Sequence, residues 1–161
     1  MITAKYGGGP HGGTPRADES CAERTVRTQG MDTEAVESVA RAAFRARFEP
    51  AYRQFAVVSL RDEGAGADVA AAVWTQIEQD WAGLLACAST AGCAWQRLSS
   101  AVHNHPRRPR SALDELPRPA ADAFLLRHRV GLEADRAAEA MGMESAAFES
   151  LYRTVVPRPA A

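Results

Sequence analysis

The sequence predicts an all-α protein built from two small helical domains. Alanine is abundant along the 161 residues, and alanine is the residue that most favours helix. Apolar side chains recur at helical spacing, and no segment alternates apolar and polar residues as a half-buried strand does. Several of these apolar runs end at glycine, which is the usual way for a helix to stop.

Residues 1–31 are predicted to form a disordered tail. They are rich in glycine, proline and polar groups and therefore offer little apolar surface to a core. Met31 stands directly before a good helix start and is an alternative first residue of the protein. The N-terminus lacks the charged, apolar and small-residue series of a secretion signal, so we expect a cytoplasmic protein.

Residues 32–103 are predicted to form the first helical domain. A helix capped by Asp32 or Thr33 carries an apolar stripe as far as Phe48. Pro50 fits the first turn of a second helix. The remaining elements are a loop at 61–67, a helix from Asp68 that bears Val69, Val73, Trp74, Ile77 and Trp81, an ambiguous segment at 83–92, and a helix at 93–103 with Trp95.

The cysteine pattern predicts free thiols. Cys21, Cys87 and Cys93 form no CxxC pair, and an odd number without a secretion signal argues against a disulfide framework. Cys87 and Cys93 flank a Ser-Thr-Ala-Gly stretch and fit either a packed face or a partner surface.

A basic linker is predicted at residues 104–116. It contains two prolines, and between residues 97 and 110 there are four arginines and no acid. Arg107, Arg108 and Arg110 are candidates for contacts with a phosphate backbone, and solvated linker charge is the equally weighted alternative.

Residues 117–157 have the layout of a helix-turn-helix domain. Gly131 and Gly142 each follow a periodic apolar run, where a left-handed residue ends a helix at no steric cost. A short helix, a turn with glycine and a longer helix then follow one another, as in helix-turn-helix units. Early residues of the second helix usually face base edges, so Ser145, Ala146, Glu149 and Ser150 are candidates for base contacts, and Arg153 is a candidate for a phosphate contact. The alternative is a solvated helix face that contacts no DNA.

The C-terminal part resembles the sigma-70 family of RNA polymerase sigma factors, of the extracytoplasmic-function type. Leu116-Pro117 resembles the step that opens the family's second domain, and Gly131-Leu132 resembles the end of its first helix. The segment 136–143, RAAEAMGM, is similar to the family's first reader helix and its turn. The resemblance implies a domain of region-4 type that reads the upstream promoter element in the major groove.

The N-terminal part resembles the family's promoter-melting domain more loosely. Phe48, Tyr52 and Phe55 are similar to its opening helix, and Trp95 stands in the helix that faces the downstream promoter element. Core packing is the favoured role of Trp95, and contact with an unstacked base is the alternative. The resemblance implies that one helix grips core RNA polymerase, with promoter DNA and an anti-sigma factor as further partners. The polymerase-binding residues that it implies are Asp68, Val73, Trp74 and Ile77.

Three positions depart from the family pattern. Glu144 occupies the cap position of the reader helix unless Ser145 takes over by a one-residue shift, and Glu149 and Leu151 stand where basic residues are common. A carboxylate on the groove face repels phosphates, although glutamate accepts a hydrogen bond from the cytosine amino group. The alternative is therefore a sigma-like interaction module that no longer reads DNA.

Composition and motifs argue against other function classes. The formal net charge of −1 argues against binding nucleic acid by bulk charge, and no apolar run approaches the length of a membrane span. His103 and His105 with Cys93 fit no standard zinc site, and no phosphate-binding loop or catalytic set has positional support. We expect no enzyme, no metal and no cofactor.

Overall fold

The computed structural model describes the backbone of residues 19–156 and the side chains of residues 33–156. This part of the chain is helical and contains no strand, which confirms the all-α class. None of its helices is both long and apolar enough to cross a membrane. The helices are α1 (Glu19–Leu60), α2 (Glu63–Gln79), α3 (Trp81–Leu85), α4 (Thr90–His103), α5 (Arg118–Leu125), α6 (Ala134–Met141) and α7 (Ser145–Arg153), with a 3-10 turn at Ala112–Glu115 and a π-helical turn at Leu126–Val130 that continues α5.

Helix α1 is longer than the sequence predicts. It begins at Glu19 and continues past Pro50, so residues 19–31 are helical and Pro50 does not open a separate helix. An interior proline removes one backbone donor, and a long helix accommodates that loss when packing holds both sides. The predicted disorder of residues 1–18 lies outside the described residues.

Contacts divide the chain into two compact units, residues 1–39 and residues 40–161. In the first unit, Val36 and Val39 are 68% and 70% exposed, so neither valine contributes to a core. The second unit contains the hydrophobic core and all of the candidate site residues.

The core of the second unit joins segments from both sides of the linker. Tyr52 stacks on Trp74 with ring centroids 5.5 Å apart, and Phe55 packs on Trp95 at 4.6 Å. Phe148 of α7 belongs to the same buried cluster. The linker therefore connects two segments that contribute to one core.

Helix α2 begins five residues earlier than predicted. Asp62 caps it by accepting a hydrogen bond from the backbone N–H of Ala65 at 2.9 Å. Gly66 is buried, and a Cβ at that position would overlap the backbone of Val57 in α1. This glycine therefore allows α1 and α2 to cross closely, whereas the sequence predicts it to be part of a loop.

The closest contact between the two halves of the core lies where α4 meets the end of α6. The hydroxyl of Ser89 accepts from the N–H of Gly92 and donates to the carbonyl of Gly142, both at 3.0 Å. A Cβ on Gly142 would overlap the backbone nitrogen of Gly92. The buried face of α6 is made almost entirely of small residues, namely Ala137, Ala138 and Ala140. Small side chains let the two backbones come this close.

Cys87 and Cys93 form a disulfide that links the end of α3 to the first turn of α4. The prediction of free thiols is wrong for this pair. The two residues are only six positions apart, and the turn between α3 and α4 brings their Cα atoms to 6.5 Å, within the range that a disulfide spans. The side chain of Cys21 lies outside the described residues.

Replacing Gly142 by alanine should destabilise the protein much more than the same change at Gly131. Both glycines have positive φ, 66° and 80°, so each alanine variant carries the left-handed strain of about 1 kcal/mol. Only Gly142 also faces a backbone, since nothing lies within 4 Å of a Cβ at Gly131. We expect a loss of about 3 kcal/mol for Gly142→Ala and about 1 kcal/mol for Gly131→Ala in denaturant unfolding. Equal losses would contradict the close α4–α6 contact.

Removing the disulfide should lower the free energy of unfolding by about 2 kcal/mol, because a short closed loop restricts the unfolded chain modestly. The Cys87→Ser/Cys93→Ser double variant and the reduced wild-type protein should show the same loss. The control is Cys21→Ser in oxidised protein, which keeps the bond. If reductant leaves the wild-type unfolding midpoint unchanged, the bond is absent from the folded protein in solution.

Candidate nucleic-acid interface

The predicted reader unit consists of α6, a three-residue turn and α7. Gly142 ends α6 in the left-handed conformation, with φ 66° and ψ 34°, as the sequence predicts. The N–H of Met143 donates to the carbonyl of Ala138 at 3.0 Å, which closes the turn in the usual glycine-terminated way. α7 then begins at Ser145, so the helix, turn and helix follow the predicted order.

One face of α7 is fixed to the protein. Phe148 is fully buried. The hydroxyl of Tyr152 is hydrogen bonded to Nε2 of His128, and the two rings stack at 5.6 Å. The guanidinium of Arg127 lies 5.9 Å from the centre of the Tyr152 ring, at cation–π distance. These contacts hold α7 against the π-helical turn and leave its opposite face to solvent.

The solvent face of α7 carries the predicted DNA-binding residues. Ser145, Ala146, Ser150 and Arg153 are exposed, and Glu149 is half-buried. The structure therefore brings the five predicted residues of this helix onto accessible positions of one element. An exposed helix face that follows a tight turn has the shape required for insertion into a major groove.

The cap of α7 is Glu144, and its side chain makes no capping hydrogen bond. The alternative in which Ser145 caps the helix is not observed. The Ser145 hydroxyl instead donates to Oδ1 of Asp135 in α6 at 2.7 Å. An acid next to a helix N-terminus interacts favourably with the helix dipole, but it also repels an approaching phosphate.

Acidic groups balance the arginines around this face. Arg153 lies 3.9 Å from Glu149 on the same helix. Glu139 of α6 binds Arg47 of α1 and Arg136, each at 2.7 Å. The hydrogen bond from the Arg47 guanidinium lowers the pKa of Glu139 below its usual value, so this carboxylate stays charged at neutral pH. The predicted reader face is therefore not basic.

The three linker arginines differ in their surroundings. Arg107 and Arg110 are exposed. The Arg108 side chain is only 16% exposed and pairs with Asp114, the acid that also completes the capping box of the 3-10 turn with Ser111. Arg108 is therefore not a free phosphate contact, because a neighbouring carboxylate already satisfies its guanidinium.

The predicted polymerase-binding residues separate into one surface residue and three core residues. Asp68 is exposed. Val73, Trp74 and Ile77 are at most 2% exposed and belong to the hydrophobic core. They therefore offer no surface to a partner, and the prediction for these three is corrected. Trp95 is also buried, at 4% exposure, as its core interpretation predicts.

A buried polar cluster that the sequence reasoning missed ties α4 to α5. Asp122 is 1% exposed and accepts a hydrogen bond from the Ser99 hydroxyl at 2.6 Å. Its other oxygen lies 2.9 Å from Nε2 of His103. The carboxylate stands between the serine and the histidine, so the histidine does not contact the serine as a catalytic base would. The detectable signal was an aspartate on the apolar face of α5.

The described residues show no grouping of three or more histidine, cysteine, aspartate or glutamate side chains suited to a metal ion. His103 is bound to Asp122, and Cys93 is in the disulfide.

Comparison with known proteins gives no relative. The chain matches no protein-family model, no curated protein and no solved structure. The functional proposal therefore depends on the geometry of α6 and α7 and on the chemistry of their surface.

Replacing Asp122 by alanine should destabilise the protein by about 3 kcal/mol, because the change leaves the buried Ser99 hydroxyl without its partner and opens a gap between α4 and α5. The matched control is Asp68→Ala, which changes an exposed aspartate of α2 and should change the free energy of unfolding by less than about 0.5 kcal/mol. Denaturant unfolding measures both. Similar small effects for both variants would show that the buried cluster does not stabilise the fold.

Proposed function

We propose that this protein is a sigma-like transcription factor that binds core RNA polymerase and directs promoter recognition through α7. The observation that carries the proposal is the turn at Gly142 followed by a helix whose predicted reader residues all lie on accessible positions while Phe148 holds its inner face. Helix-turn-helix proteins place such a second helix in the major groove. In this role the protein acts in the cytoplasm.

Base recognition would come from a few residues of α7. Ser150 offers a hydroxyl that pairs with a base or a phosphate, and Ala146 offers a methyl group for contact with thymine. The Ser145 hydroxyl donates to Asp135 and can still accept a hydrogen bond from a base amino group. Arg153 is 77% exposed and is the basic residue of this helix that a phosphate can approach. Arg107 and Arg110 add exposed positive charge in the linker.

The polymerase contact would use the solvent face of α2 rather than the residues of its core face. Asp68, Thr75 and Gln79 are exposed at helical spacing on this face. Asp68 is the only member of the predicted polymerase-binding set among them. A polar face of this kind suits a contact made by hydrogen bonds and charge, with an anti-sigma factor as a competing partner.

Charge favours a second candidate, a sigma-like docking module that binds polymerase or a regulator without reading DNA. Glu144 stands at the start of α7, and Glu149 lies beside the exposed arginine of the helix. Both carboxylates would approach the phosphate backbone if α7 entered a groove, and like charges at short range weaken binding.

Co-purification with core RNA polymerase, followed by promoter-dependent transcription in a reconstituted system, separates these functions. Polymerase binding with initiation from a defined promoter supports the first proposal. Polymerase binding without initiation or DNA contact supports the docking module. Absence of polymerase binding removes the first proposal and leaves the docking module with a regulator as its only partner.

If α7 contacts DNA, Arg153→Ala should weaken promoter binding several-fold and reduce the slope of log affinity against log salt by about 1, because one phosphate contact is lost. Glu149→Lys should strengthen non-specific binding by removing a repulsive charge. Fluorescence anisotropy with labelled duplex DNA measures both changes. The control is Arg53→Ala on α1, which removes an exposed arginine outside the predicted interface. Three variants with equal affinity and equal salt slope would exclude α7 as the DNA-binding helix.

A further inference from the structure

A groove separate from α7 lies where the end of α1, the start of α2, the linker and α5 meet. Its volume is about 730 Å³, which is in the range of sites for small organic ligands. A second cavity of about 420 Å³ shares four of its residues and extends the groove along α1. The shared residues are Val57, Val58, Glu63 and Arg129.

One side of the groove is apolar. It is formed by Val57 and Val58 of α1, Leu113 of the 3-10 turn, and Phe124 and Leu125 of α5. Leu125 is buried and the other four are half-buried, so these side chains still present apolar surface to the groove. An apolar surface of this extent favours the hydrocarbon or aromatic body of a ligand over a fully hydrated ion.

Two arginines at the groove have no partner among the residues whose side chains are described. Arg61 and Arg129 both line the groove, and neither forms an ion pair or a hydrogen bond there. The third arginine of the lining, Arg108, is paired with Asp114. Unpaired guanidiniums next to an apolar wall are suited to bind a carboxylate or phosphate, which they contact through two parallel hydrogen bonds.

The acids of the groove are already engaged. Asp62 caps α2 through the N–H of Ala65. Glu63 lies 3.6 Å from Arg53 and its side chain is 82% exposed. Asp62 keeps its negative charge, so the two unpaired arginines against this one unpaired carboxylate give the groove a small net positive charge.

One further feature is typical of ligand sites. Arg61 has φ 53°, a left-handed conformation that costs a non-glycine residue energy, and such backbone strain is often found at binding sites.

We propose that this groove binds a small organic anion, with an apolar body against Val58 and Phe124 and a carboxylate or phosphate held by Arg61 and Arg129. The site is independent of the function proposed for α7, because none of its lining residues belongs to α6 or α7.

Displacement of the fluorescent anion 1-anilinonaphthalene-8-sulfonate from the full chain tests the proposal. Decanoate and decyl phosphate should displace it, and the stronger of the two identifies the preferred head group. Decanol, which lacks the charge, and inorganic phosphate, which lacks the apolar body, should be at least about 10-fold weaker. Decanol as effective as decanoate, or phosphate as effective as decyl phosphate, would overturn the proposal.

The variants separate this groove from general surface binding. Arg61→Gly and Arg129→Met should each weaken decanoate binding about 10-fold, as expected for the loss of one charge-assisted contact. Arg61→Gly retains the fold, because glycine adopts positive φ without strain. The control is Arg110→Ala, which removes a neighbouring exposed arginine that does not line the groove and should change binding less than about twofold.

A thermal unfolding measurement provides a readout that needs no dye. Decanoate should raise the melting temperature of the wild-type protein and of Arg110→Ala, because a ligand that binds only the folded state stabilises it. It should raise that of Arg61→Gly much less. Equal shifts in all three proteins would place the binding outside the groove and overturn the proposal.

Discussion

The close approach of α4 to Gly142 is the contact on which the arrangement of the other helices depends. Ser89 joins the start of α4 to the carbonyl of Gly142, and the backbone of Gly92 fills the space that any side chain at 142 would need. Because Gly142 also forms the turn between α6 and α7, the residue that shapes the predicted reader unit is the one that anchors it to the rest of the core. The orientation of α7 is therefore set by helices outside the reader unit.

Shape and charge give different indications of function. The shape agrees with a helix that enters a groove, since Phe148 and Tyr152 hold one face and the other is open. The charge is closer to that of a surface that binds protein, since Glu144 and Glu149 offset Arg153. When a transcription factor binds DNA as part of a larger assembly, its partner contributes much of the affinity for DNA. A weakly charged reader helix therefore loses less affinity there than it would in a protein that binds DNA alone.

The sequence predicted what depends on local spacing. Apolar periodicity predicts the helical class and the core position of Trp95, and backbone sterics over a few residues predict the left-handed glycines at 131 and 142. What it missed depends on partners distant in the chain. The sequence assigns Gly66 to a loop, because the contact of Gly66 with the Val57 backbone is not visible in the sequence. Asp122 likewise resembles a surface residue, because its partners Ser99 and His103 lie about 20 positions away in the chain.

The same limit applies to the candidate sites. The resemblance assigned Val73, Trp74 and Ile77 to a partner surface, yet all three are buried in the core, where Tyr52 of α1 stacks on Trp74. A groove formed by four segments has no sequence signature in any one of them.

The alanines on the inner face of α6 limit which substitutions the protein can accept. Any larger residue there would push α6 away from α4, so we expect α6 to tolerate substitution at its outer positions and not at these inner alanines.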